Sequence, residues 1–442
     1  MKHDSLVIVG GGPIGMLTAL ICQDMFSSIT ILERQTKEKF FSSRYTFPVV
    51  LTPCAIDVLK QVEGLLDILR PTQSPYDELK LQFKVLGRRL SMSKTYGLNS
   101  FWRDSLIQAQ YKLVTKAKNI SMYFGCEVES IDFDSNICHE TKLGALQFDL
   151  LVGADGCHSQ TRQAIAEAHP LFDSKTHFSK EVTHCWHAFS VHTAKVSDHD
   201  FTRRHATINT EGSVRVVATY IQYPQDVINC VFIGPTSTTD NDFEAVKKAT
   251  FPSLSEEDMK ELEKKSEISG KYYHVKAPTF CFKSCVLLGD SAHGWLSCGD
   301  LLSCGVLTVG KLYAELQKGN VSIPDALKNY DETTGKYVRF YSSGFAYPRT
   351  VGGVGMELAM FGILSKVGLT ATHPGVDGIY LEEFDLYKDM KQYTGDFRTI
   401  ERLKAVISFI LMFAFVWALL NFEVIRMPPV LETFLVASPI SL

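Results

Sequence analysis

Residues 7–15 read Val7-Ile8-Val9-Gly10-Gly11-Gly12-Pro13-Ile14-Gly15. An apolar strand runs into Gly10-x-Gly12-x-x-Gly15, and a helical stretch from Met16 to Met25 follows. Eighteen residues after Gly15, a second apolar run, Ile29 to Leu32, ends at Glu33. Strand, glycine turn, helix, second strand and terminal acid in this order predict a dinucleotide-binding βαβ unit. Gly10 permits the tight turn. Gly12 lets backbone approach a pyrophosphate, and Gly15 lets helix and strand come close. The helix N-terminus, opened by Pro13 and Ile14 beside Gly11, then faces the phosphates with its positive end. Glu33 is placed to accept hydrogen bonds from ribose hydroxyls, with Arg34 beside it.

A chain of 442 residues is too long for one small core, and two domains with an appendage are expected. The net charge of −4 and the lack of a long basic run give no electrostatic footprint for nucleic acid. Eleven scattered cysteines without a C-x-x-C pair read as reduced thiols rather than a disulfide framework. Cys281/Cys285 and Cys298/Cys304 lack the paired spacing with His of a zinc site, and no metal is expected. The first strand begins near Ser5, so no cleavable signal peptide is expected.

The end of the sequence differs in kind. Ala405 to Phe422 has no charged residue, and its 18 residues make about 27 Å of helix. Arg398, Arg402 and Lys404 precede it. A membrane anchor is expected here, with the larger part of the protein on the cytoplasmic side; a buried core helix is the alternative. Whether such a segment spans the bilayer or lies in its interface is left open by its length.

Along the chain, helical patterning covers Pro53–Leu69 and Ser105–Ala117. Leu79–Leu90 alternates like a strand pair. Ile120–Phe124, Glu127–Phe133 and Phe148–Val152 read as strands. Trp186–Val191, Val214–Tyr223 and Val227–Ile233 predict an antiparallel sheet. Glu244–Lys265 is charged and helical. Cys285–Leu288 is a buried strand that enters Gly289-Asp290-Ser291-Ala292-His293. His184, His187 and His192 are expected to be sheet residues.

Four sites therefore stand in order: the glycine turn with Glu33; Trp102-Arg103-Asp104-Ser105-Leu106, of the form R-x-x-L; Asp155-Gly156-Cys157-His158-Ser159-Gln160-Thr161-Arg162, of the form D-G-x-x-S-x-x-R; and Gly289-Asp290. Over roughly residues 5–320 this set resembles the single-component FAD-dependent monooxygenases, the para-hydroxybenzoate hydroxylase-like family. The resemblance implies an α/β fold. A Rossmann-like FAD-binding domain (1–176, with a substrate-domain insertion near 72–100, resuming at 277–345) is interrupted by a mostly antiparallel β substrate domain (177–276). C-terminal helices (346–404) and the hydrophobic tail (405–442) follow.

The resemblance also implies roles. Gly10, Gly12 and Gly15 would cradle the FAD pyrophosphate, and Glu33 would hold the ribose. Arg44 and Arg103 would contact the phosphate or ribitol, and Val128 would meet the adenine through its backbone. Asp155 and Gly156 would serve FAD and NAD(P)H binding, and Asp290 the ribitol hydroxyls. Arg44 and Arg103 as surface ion-pair partners, and Asp155 as a helix cap, are the structural alternatives. The implied activity is NAD(P)H- and O₂-dependent hydroxylation or epoxidation of an aromatic or lipophilic small molecule through a flavin C4a-hydroperoxide. Two features are similar to the kynurenine 3-monooxygenase-like members: Tyr96-Gly97 before Arg103, where the Tyr would help hold substrate, and the apolar tail.

One departure stands out. After Gly289-Asp290-x-Ala292-His293 the family continues x-x-x-P-x-x-G-x-G-x-N. Here Ser297, Leu302 and Cys304 replace the Pro, one Gly and the Asn. Ser303 and Cys304 retain backbone N–H groups for the flavin pyrimidine ring, a contact that needs no particular side chain. A non-hydroxylating FAD reductase or dehydrogenase of the same fold, or a catalytically silent membrane flavoprotein, are the competing readings.

Overall fold

The computed structural model describes residues 3–42, 48–85, 88–169, 179–192, 205–211, 214–221, 227–250, 255, 257, 268–294, 301–319 and 321–339. Arg44 and everything from residue 340 onward, including the expected C-terminal helices and the apolar run 405–422, lie outside them. Among the described residues no helix is long and apolar enough to cross a membrane.

The first strands in chain order are β1 (His3–Val9), β2 (Phe26–Glu33), β3 (Pro48–Leu51), β4 (Ser74–Val85), β5 (Arg88–Trp102), β6 (Ile120–Phe124), β7 (Val128–Asp132), β8 (Ile137–Glu140) and β9 (Gly144–Gln147). Then come β10 (Leu150–Gly153), β11 (Ser179–His192), β12 (His205–Glu211), β13 (Val214–Ile221), β14 (Val227–Pro235), β15 (Ile268–Lys276), β16 (Cys281–Phe282) and β17 (Cys285–Leu287). They form three sheets.

The first has the order β16-β17-β10-β1-β2-β6. All its pairings are parallel except β16 with β17. Both faces of such a sheet are covered, so its strands are near-continuous apolar runs. Leu6 to Val9 and Leu150 to Val152 are buried throughout. The second has the order β15-β11-β14-β13-β12-β4-β5-β3 and joins strands from residues 48–102 to strands from 179–276. Only the β12–β4 pair in it is parallel. The third is the small meander β7-β8-β9. The α/β architecture expected from the sequence is thus present: a parallel Rossmann-like sheet beside antiparallel ones.

The helices are α1 (Pro13–Ile21), α2 (Lys37–Phe41), α3 (Pro53–Lys60), α4 (Leu65–Leu69), α5 (Arg103–Val114), α6 (Gln160–Ala168), α7 (Asp240–Thr250), α8 (Asp290–His293), α9 (Leu301–Leu316) and α10 (Ile323–Tyr330). Several differ from the expected bounds. Helix α1 stops at Ile21 rather than Met25. The Met25 N–H bonds the Cys22 carbonyl in a turn, and Phe26, fully buried, already begins β2. The stretch 53–69 is two helices, because Gly64 adopts φ 75° between them. The helix expected from Glu244 begins four residues earlier at Asp240, and its described part ends at Thr250.

Candidate functional site

The register of the parallel sheet decides where the motifs meet. Val9 pairs with Leu32 on one side and with Gly153 on the other. The loops after β1, β2, β10 and β17 therefore leave the same edge of the sheet, its carboxyl edge, where open α/β sheets bind ligands. Backbone bonds knit these loops together. Gly10 N–H bonds Leu32 O (2.8 Å), Ala154 N–H bonds Val9 O (2.7 Å) and Leu288 N–H bonds Gly153 O (2.9 Å).

Within the glycine turn, each glycine has its own reason. Gly10 sits at φ 105°, and a Cβ there would come within 2.3 Å of the Ala154 carbonyl oxygen. A Cβ at Gly15 would lie 2.0 Å from the Gly10 carbonyl oxygen. At Gly12 a Cβ would meet no protein atom within 4 Å. Gly12 also precedes α1 without capping it by a side chain. The first-turn amides of α1 are therefore presented to a groove that the protein itself leaves open. Ile14, whose side chain packs against Gly289 and Gly305, joins this turn to the fourth motif and to α9.

Glu33 ends β2 and is 7% exposed. Its Oε2 accepts the Gly11 N–H (2.9 Å) and its Oε1 the Gln35 N–H (2.9 Å). The acid thus fixes the glycine turn. Asp290, first residue of α8, is the exposed one. Surrounding protein raises its carboxyl above the ordinary carboxylate range, and the charge of Arg103 pulls it back. Arg103 opens α5 and feels three carboxylates, Asp104, Asp290 and Glu33, which oppose the lowering caused by its burial. The first, second and fourth motifs are thereby brought to one place.

The third motif is built around the Asp155 carboxylate. The carboxylate of Asp155 accepts the Ser159 hydroxyl (2.5 Å), the Thr161 N–H (3.1 Å) and the Thr161 hydroxyl (3.2 Å). Burial raises its pKa, and these bonds lower it in part. The side chain of Asp155 therefore serves the start of α6, the structural alternative, while Asp155 and Gly156 also line the groove. Ser159 caps α6 by accepting the Arg162 N–H (2.9 Å). Arg162, 6% exposed, donates to Ser291 O (2.8 Å) and Cys157 O (2.7 Å), tying this loop to α8. Its place in the motif was visible; the clamp was not.

The groove that results is lined by Gly10, Gly12, Glu33, Arg34, Arg103, Val128, Asp155 and Gly156 among the expected residues. Val128 opens β7, the second strand after α5. Phe40, Glu127, His158 and Gln160 line it too; His158 and Gln160 stand at variable places of the third motif, and no motif marks Phe40 or Glu127. Gly289, at φ 63°, sets up α8. Ser303 and Cys304 lie in the first turn of α9, both fully buried. The Ser303 hydroxyl accepts the Thr52 N–H (3.1 Å) and donates to Val50 O (3.2 Å), so its side chain faces β3. Tyr96 lies on β5, and its side chain is outside the described residues, as is Ser297. Among the described residues no group of three or more His, Cys, Asp or Glu is placed to hold a metal ion.

A family model for an FAD binding domain matches residues 3–295, well over half of the chain. The chain belongs to the FAD-binding monooxygenase family. The flavoprotein is 21% identical over 364 residues to kynurenine 3-monooxygenase of Aspergillus oryzae, a match covering 72% of this chain and 69% of that one. To violacein synthase of Chromobacterium violaceum it is 29% identical over 188 residues, covering 39% of this chain and 43% of that one. Among solved structures, the fold of the flavoprotein is similar to 2-methyl-3-hydroxypyridine-5-carboxylic acid oxygenase. The TM-score is 0.65 at 17% identity, over 86% of this chain and 96% of that one. A tetracycline destructase matches with a TM-score of 0.56, also at 17% identity, over 83% and 97% of the two chains.

Proposed function

We propose that this FAD-dependent monooxygenase uses NAD(P)H and O₂ to hydroxylate or epoxidise an aromatic or lipophilic small molecule, and that residues 405–442 hold it at a membrane. The observation that carries the cofactor part is one groove at the carboxyl edge of the parallel sheet that the first three motifs line, with the Asp290 carboxylate of the fourth acting on Arg103 in its wall. The residues present fit FAD. The open space at Gly12 and the uncapped first turn of α1 suit a pyrophosphate. Arg103 adds a positive charge near it. Glu33 retains lone pairs beyond its two backbone bonds for the ribose. The Val128 backbone suits the adenine edge, and Asp290 the ribitol hydroxyls. The first-turn amides of Ser303 and Cys304 suit the pyrimidine ring. Arg44 completes the set as a phosphate or ribitol contact.

Bound FAD supplies electron transfer from NAD(P)H and the activation of O₂. The chain has the remaining tasks: to fix the cofactor, to orient the substrate over it, and to keep water out. The antiparallel sheet carrying Tyr96 is the proposed substrate wall. The deciding experiment has two readouts on the purified full-length protein. Denaturation is expected to release FAD, not FMN. Candidate substrates are expected to accelerate NAD(P)H oxidation with O₂ consumed in equal amount. Reduction without O₂ uptake would reject the monooxygenase reading and leave a reductase.

A further inference from the structure

Phe40 belongs to none of the four motifs. It lies on α2, near the end of that five-residue helix, and is half-buried. Other aromatics hold its ring. Phe41 lies 5.1 Å away, centroid to centroid, at 88°, and Phe124 lies 5.5 Å away at 62°. Phe41 and Phe124 in turn pack edge-on against Tyr111, at 4.9 and 6.0 Å. Edge-to-face packing of this kind fixes a ring plane, which simple apolar burial does not. Yet Phe40 also lines the groove, in the company of Leu32, Cys126 and Val128.

Its position along the groove follows from the chain path. With Glu33, the lining includes the glycine turn, the third motif and a positive charge: Gly10, Gly12, Gly156 and Arg103. From Glu33 the chain continues through Gln35 into α2. There the Gly125 N–H bonds Gln35 O (2.8 Å) and the Cys126 N–H bonds Glu33 O (3.0 Å), which brings the start of β7 alongside. A dinucleotide with its pyrophosphate at the glycine turn and its ribose at the strand-end acid carries its base beyond that ribose. The groove there is walled by an aromatic ring of fixed plane and by aliphatic side chains.

The structure assigns Phe40 as a stacking surface for the adenine base, with Phe41, Phe124 and Tyr111 as the frame that holds its plane. This rests on the FAD reading above and adds a residue that no motif marks. Stacking on a π-face tolerates any base and needs no hydrogen-bond match. It explains why an aromatic stands on a short surface helix with one part of its ring left to the groove.

The test uses full-length protein stripped of flavin, with dissociation constants measured for FAD, ADP and FMN by titration calorimetry. Phe40→Leu keeps apolar bulk but removes the π-face, and Phe40→Trp restores one. Phe40→Leu is expected to weaken FAD and ADP alike by about ten-fold or more, and to leave FMN unchanged. Phe40→Trp is expected to retain wild-type affinity for both adenine compounds. Wild-type ADP affinity in Phe40→Leu would overturn the assignment while leaving the FAD reading intact. Equal weakening of FMN would also overturn it, because the effect would then be a general loosening of the groove. A wild-type protein that binds neither FAD nor ADP would instead bring down the FAD reading itself.

Discussion

At the scale of single residues, the glycine turn separates two roles that its pattern alone merges. Gly15 is a close approach of protein to protein, and Gly12 is an approach of protein to ligand. Gly15→Ala is therefore expected to destabilise the apoprotein strongly, because its Cβ has no room beside the Gly10 carbonyl. Gly12→Ala is expected to leave apoprotein stability nearly unchanged while weakening FAD binding. Thermal melts with and without FAD distinguish the two. Glu33 and Asp290 make a second contrast. Glu33 holds the turn through the Gly11 N–H from a buried position, whereas Asp290 meets solvent. Glu33→Ala is expected to weaken FAD retention at least as much as Asp290→Ala. The loss for Glu33→Ala is about ten- to a hundred-fold in Kd, corresponding to charge-assisted bonds of about 1.5–3 kcal/mol. The positions of Gly10, Gly15 and Glu33 were legible in the sequence because turn geometry leaves those residue types few alternatives. The use of the Asp155 carboxylate on Ser159 and Thr161 was not, because an acid that caps a helix and an acid that meets a ligand have the same letter.

At the scale of elements, the short ones escaped notice for a physical reason. β3, β8, β9 and α2 are four or five residues long, too short for a period to show, and their conformation is set by the partners they pair with. The long parallel strands, buried on both faces, were readable as apolar runs. How α6 and α8 are joined was not readable, since Arg162 bridges them by bonding the Ser291 carbonyl, far away in sequence. Arg162→Met is expected to leave the Ser291 and Cys157 carbonyls without this donor. It should lower stability by about 2–4 kcal/mol in denaturant titrations. His293, at the end of α8, is 1% exposed, and burial pushes its pKa down to about 4 from the usual 6.5. The unfolded chain then binds a proton at higher pH than the folded one. The stabilising effect of a neutral His293 is fully present above pH 6.5 and is lost as pH falls toward 4. Against His293→Leu, wild-type stability is expected to fall by about 1–3 kcal/mol more between pH 7 and pH 4.5.

At the scale of the molecule, the interruption of the parallel sheet by a β-rich stretch was legible as a change in pattern. The register by which β4 joins β12 was not, because that pairing spans a separation no local signal reports. The proposed anchor belongs to this scale. Ending the chain before Arg402 is expected to convert a protein that needs detergent into a more soluble one, measured by partition after high-speed centrifugation; failure to fold on truncation would mark the segment as core. The sheet order has a consequence for how the molecule is made. β10 is flanked by β1 and β17, yet β17 is synthesised only after the whole run from β11 to β16. During translation the nascent chain therefore carries β1, β2, β6 and β10 with one apolar parallel edge bare until Cys285–Leu287 leave the ribosome. The cofactor groove inherits that timetable. Gly289 and Asp290 arrive last among its four motifs, so FAD cannot be fully gripped by a nascent chain that has not passed β17.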